Sequence, residues 1–97
     1  MKNKKVVSGV ILSRSRGQKQ EIRSALTWLD IKIDEFITRC DADKKYSNSN
    51  RALIEFSEIL GVLKFLYMSE VISVEEYRLI VRNVTGEDIS KEEVKKL

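Results

Sequence analysis

Between Gln18 and Cys40 the apolar residues Ile22, Leu26, Leu29, Ile33, Phe36 and Cys40 are spaced 4, 3, 4, 3 and 4 apart. Only a helix returns such residues to one side, so this stretch predicts a rod of about 34 Å with one apolar seam. Trp28 and Ile31 fall off the seam and neighbour each other on the helix surface. From Arg51 to Ser69 a second helix is expected, with Leu53, Phe56, Leu60, Leu63 and Tyr67 as its seam. Residues 59–68, ILGVLKFLYM, are apolar at eight of ten positions. A helix apolar nearly all round is expected to be central, leaving Ser57, Glu58, Gly61 and Lys64 as a narrow polar edge.

The punctuation agrees with helices. The chain has no proline and four glycines. DADKKYSNSN, residues 41–50, reads as a polar loop in which Ser49 or Asn50 caps the second helix. Ser73 and Glu76 have the spacing of a capping box, with Ile72 and Tyr77 placed as a hydrophobic staple. A third helix follows over about 74–84, and Gly86 suits its left-handed end. The same I-S-x-E-E phrase recurs at Ile89–Glu93, where it reads as a second helix start before one or two frayed turns. Ser15 with Gln18 fits a cap for the first helix.

The expected fold is therefore all-α: an antiparallel hairpin of helices over about 18–40 and 51–69, a third helix over about 74–84, and a short C-terminal helix. Residues 18–97 form one helical domain and residues 1–17 a separate basic arm. VVSGVIL, residues 6–12, leaves the arm's conformation open between a short strand, a helical turn and a segment that orders on a partner. Trp28, Ile31, Ile37, Ile54, Val62 and either Leu66 or Met68 exceed what two seams bury in a unit this small. They predict self-association or a protein partner, unless residues 6–12 fold back over them.

Charge is concentrated at one end. Residues 1–23 carry Lys2, Lys4, Lys5, Arg14, Arg16, Lys19 and Arg23 against Glu21 alone, a net +6, whereas the remainder has 11 basic and 14 acidic side chains, a net −3. That asymmetry points to a polyanionic or acidic partner, with Lys4, Lys5, Arg14, Arg16, Lys19 and Arg23 as the contacts. Residues 1–23 contain no aromatic side chain, so base stacking from the arm is not expected.

Catalysis is not expected. There is no histidine, and the single Cys40 falls on the seam, where a cysteine serves as a small buried hydrophobe. No metal-ligand spacing, phosphate loop or nucleophile elbow is present. Neither a cofactor nor a metal is implied. One cysteine suits a reducing compartment, and no apolar run is long enough for a membrane span. The N-terminus has a short apolar run but no small-residue cleavage site, so a cytoplasmic location is expected. Two DNA-binding templates fit poorly. The expected helices are about twice too long for a ribbon-helix-helix protein, and a helix-turn-helix around 69–73 would offer only Arg78 and Arg82.

GVLKFLYMSEVISVEEYRLIVRNVTG, residues 61–86, resembles the ends of small helical proteins carried by phages and mobile elements of low-GC Gram-positive bacteria. It is also similar to a C-terminal pattern L-x-x-L-x-x-x-G-x-I-S-x-E-E-Y/F; Glu70 and Val71 stand where that pattern carries its loop glycine. The resemblance implies a non-enzymatic regulator, or an inhibitor of host defence nucleases such as an anti-CRISPR protein. Three functions stay open from the residues: a binding protein acting on a nucleic-acid-handling complex, a direct DNA- or RNA-binding regulator, and a structural helix bundle.

Overall fold

The computed structural model describes residues 4–97, so Lys2 of the basic segment lies outside the described residues. Those residues form six helices and no strand: α1 (Lys4–Ser15), α2 (Gln20–Ala42), α3 (Lys44–Ser47), α4 (Asn50–Met68), α5 (Val74–Thr85) and α6 (Lys91–Lys95). The expected hairpin is α2 and α4. Phe36 stacks on Phe56 with ring centroids 6.0 Å apart, and Arg39 approaches Glu55, a pairing that runs the two helices antiparallel.

Residues 4–15 are neither a strand nor an arm. α1 runs antiparallel to α2, with the Ser8 hydroxyl donating to Asp30 at 2.6 Å and the Lys4 ammonium 3.2 Å from Asp34. It also lies against α5. Val7 and Ile11 stand four apart and are buried, 1% and 2% exposed, with Val10 packed beside them. A strand would split these residues between two faces and would have no strand to pair with among the described residues. The helix gathers them onto one stripe, and the burial outweighs the β-propensity of valine. Gly17, at φ 73°, takes the left-handed turn into α2. Ser15 belongs to the last turn of α1, so it does not cap α2; Lys19 occupies that position without a side-chain cap.

α4 packs four of the five members of its expected seam inward and adds a stripe beside them. Leu63 is buried and Phe56, Leu60 and Tyr67 are half-buried against the core, joined by buried Ala52, Ile59 and Leu66, whereas Leu53 is 64% exposed. α4 is touched by α2, α3 and α5, as α2 is by α1, α3 and α4, but it is not covered all round: it turns Leu53, Ile54, Phe65 and Met68 outward.

The polar segment 41–50 contains α3, capped by the Asp43 carboxylate accepting from the Lys45 N–H at 3.0 Å. Tyr46 is the reason it is ordered. Its ring is buried edge-on to Phe36, Arg39 lies 4.2 Å over its centroid, and its hydroxyl donates to Glu55. Burial and the Glu55 bond push the phenol up to about 12, while the same bond and the nearby Arg39 and Arg51 hold the Glu55 carboxyl down despite its desolvation. Ser49 then caps α4 by accepting from the Ala52 N–H.

The corner between α4 and α5 explains the motif at residues 63–77. Leu63, Leu66, Ile72 and Tyr77 are all buried. α4 ends with the Glu70 N–H donating to the Tyr67 carbonyl and the Val71 N–H to the Leu66 carbonyl, the paired bonds of a Schellman end. Glu70 holds the left-handed position at φ 62°, a backbone conformation that favours glycine. Ser73 and Glu76 then form the expected capping box, at 3.1 and 2.9 Å, and Gly86 closes α5 at φ 81°. A left-handed glutamate is strained, so Glu70→Gly is expected to raise stability by about 0.5–1 kcal/mol, after the greater freedom of glycine in the unfolded chain is subtracted. Urea midpoints of the two proteins at constant slope measure it.

α6 is not a frayed tail. Ser90 accepts from the Glu93 N–H, Val94 is fully buried, Arg78 donates to the Ile89 carbonyl at 2.7 Å, and Lys91 pairs with Glu75 at 3.0 Å. The Glu75 carboxyl is held below its usual range chiefly by that Lys91 contact.

Candidate interaction groove

The first half of α2 and the end of α1 frame a surface groove of about 550 Å³, lined by Ser15, Gln20, Arg23, Ser24, Thr27, Trp28 and Ile31. Helical spacing produces it. Residues 20, 23, 24, 27 and 31 recur every three or four positions and so share the outward face of α2. Trp28 stands at its side, half-buried against the core, so one part of its indole is held by packing while another meets the groove. Lys32 places its ammonium 6.0 Å from the centre of that ring. Ile31 is 53% exposed.

The basic residues of the first 23 positions separate into two sets. Lys4 and Arg14 are spent internally. The Lys4 ammonium contacts Asp34 and donates to the Thr38 hydroxyl at 2.7 Å; the Arg14 Nε donates to Glu76 at 2.5 Å, joining α1 to α5. Burial pushes the Glu76 carboxyl up, but the Arg14 bond and the Ser73 backbone N–H together hold it below the ordinary carboxylate range, and the same bond raises Arg14. Lys5 is exposed near the start of α1, away from the groove end. Arg16, Lys19 and Arg23 are exposed around the α1–α2 turn, and among the described residues their side chains make no ion pair. Three of the six expected cationic contacts are thus gathered at one end of the molecule.

The expected protein-interface residues divide as well. Trp28 and Ile31 line the groove. Leu66 does not belong to a surface: it is fully buried, because the stripe α4 turns inward passes through it. Val62 is half-buried against the core. Ile37, also counted as surplus apolar surface, is buried too.

No protein-family model, curated protein or solved structure matches the chain.

Among the described residues no three cysteine, aspartate or glutamate side chains gather where they could hold a metal ion, and no helix is long and apolar enough to cross a membrane. The groove offers an aromatic edge, a branched aliphatic chain, hydroxyls and a guanidinium. Tryptophan and arginine are among the residue types that anchor protein interfaces. Phe65 was not legible as a surface residue by its own spacing. The signal for it was the polar edge formed by Glu58, Gly61 and Lys64, since whatever flanks that edge on the helix must also face outward.

Proposed function

We propose that the chain is a non-enzymatic helical binding protein of mobile-element type, which inhibits or regulates a nucleic-acid-handling protein by docking through the α1–α2 end. One observation supports this above the others: the groove joins Trp28 and exposed Ile31 to Arg23, with Arg16 and Lys19 beside it and no ion partner for these three cations among the described residues. Such a surface suits an acidic protein face carrying an apolar protrusion; on a nucleic-acid-handling protein such a face lies outside the basic track that holds the polyanion. The regulatory or inhibitory role draws on the resemblance of residues 61–86.

The variant Arg16→Glu/Lys19→Glu/Arg23→Glu/Ile31→Asp is expected to lose at least about tenfold in affinity for the partner recovered from host extract, with its melting curve unchanged. Titration calorimetry against that partner measures the loss. Undiminished binding by a folded variant would remove the groove from the proposal.

Direct nucleic-acid binding is the second reading, carried by the same three cations. It is weakened by the pairing of Lys4 with Asp34 and Arg14 with Glu76, which partly neutralises two of the expected phosphate contacts. That reading requires a complex with bare DNA or RNA at about 50 mM salt that dissolves steeply as salt rises.

A further inference from the structure

The outward face of α4 is built symmetrically about Gly61. Ile54 and Met68 stand seven residues to either side, Glu58 and Lys64 three to either side, and Ser57 and Phe65 four to either side. At 100° per residue all of these fall within about 60° of the Gly61 direction. Ile54, Phe65 and Met68 are 60%, 52% and 61% exposed, and Leu53 flanks them at 64%.

Gly61 has no role inside the subunit. A Cβ added there would meet nothing within 4 Å, and its backbone is ordinary helix. A mid-helix glycine lowers helix stability relative to alanine without return from its own fold. What it does provide is close approach by a second backbone.

We propose that the protein forms a two-fold dimer in which α4 packs antiparallel on α4 of a second copy, crossing at Gly61. The occupant is a second copy because the charges are self-complementary in that direction alone. With the helices antiparallel, Glu58 of one copy and Lys64 of the other lie at the same height, within side-chain reach across the glycine crossing. Two such pairs form, one on each side of the axis. Packed parallel, the face would set Glu58 against Glu58 and Lys64 against Lys64. The antiparallel register also brings Ile54 against Met68 and Phe65 beside Ile54 and the stem of Glu58. The four exposed apolar side chains offer about 400–500 Å², within the ~300–600 Å² of the largest apolar patch on a typical monomer, which is often functional, and about half the ~800 Å² per partner of a standard interface, so a weak dimer is expected. This contact is independent of the groove at the α1–α2 turn.

Sedimentation equilibrium of the full chain is expected to give a dimer at micromolar to tens of micromolar concentration. Gly61→Leu and Phe65→Glu should each raise the dissociation constant roughly tenfold or more, with the helical spectrum unchanged. Gly61→Ala should weaken the dimer while the dilute protein melts a few degrees higher, opposite signs that a packing role inside the subunit would not give. Glu58→Lys and Lys64→Glu should each weaken association, and the double swap should restore it. A wild type that stays monomeric at several hundred micromolar overturns the proposal, as does a double swap that fails to recover. A heterologous partner seated on the same face would appear as that monomer.

Discussion

Removal of residues 1–17 is expected to unfold the protein. A dispensable basic arm could be cut away without loss, but α1 is part of the core. Its deletion strips Val7 and Ile11 from the interior and uncovers the faces of α2 and α5 on which they rest. Each of those side chains is worth about 1.5–3 kcal/mol of burial. The Ser8–Asp30 bond and the Lys4–Asp34 and Arg14–Glu76 pairs go with them. The loss is on the order of 5 kcal/mol or more, against a total stability of about 5–15 kcal/mol for a domain of this kind. Circular dichroism of the 18–97 fragment should show reduced helix and no cooperative melt. Ile11→Ala in the full chain should cost about 2–5 kcal/mol in urea unfolding. A fragment that melts like the whole protein would show α1 to be an appendage.

Leu66→Ala is expected to cost about 2–5 kcal/mol, while Leu53→Ala in dilute solution changes stability by no more than about 0.5 kcal/mol. The two substitutions remove the same atoms from the same helix. They differ because Leu66 is fully buried and Leu53 is 64% exposed. Heptad spacing ranks them the other way, with Leu53 in the seam and Leu66 on the surface. Urea unfolding of both variants therefore decides which stripe of α4 faces the core, and equal costs would refute the packing described here. The same comparison bears on assembly, since an α4 rotated to bury Leu53 would no longer present Gly61 at the middle of its outer face.

Removing the arm as a separate element also alters the functional argument. Six cations reaching from a mobile segment would make a general polyanion contact. Instead, Lys4 and Arg14 tie helices together, and Arg16 and Lys19 in the α1–α2 turn and Arg23 in the first turns of α2 stand near Trp28 and Ile31. Cations beside a mixed groove that also presents Trp28 and Ile31 favour a shaped protein surface over a bare phosphate chain, because shape and charge are then recognised together.

Local physics was enough for much of this molecule. The seam of α2 was legible because its apolar residues keep one period over some 20 residues with polar ones between them. The ends of α4 and α5 were legible because Ser49, Ser73 and Gly86 carry their caps within a few residues of chain. Two features depended on the tertiary structure. Residues 6–12 are apolar at five of seven positions, so helix and strand patterns both fit them; contact with α2 and α5 selects the helix that buries Val7 and Ile11 together. Residues 59–68 are apolar at eight of ten positions, so their period does not single out one face. Which face α4 turned inward was settled by the shape of α2 and α5 against it, and that choice left Ile54, Phe65 and Met68 on the outside around Gly61.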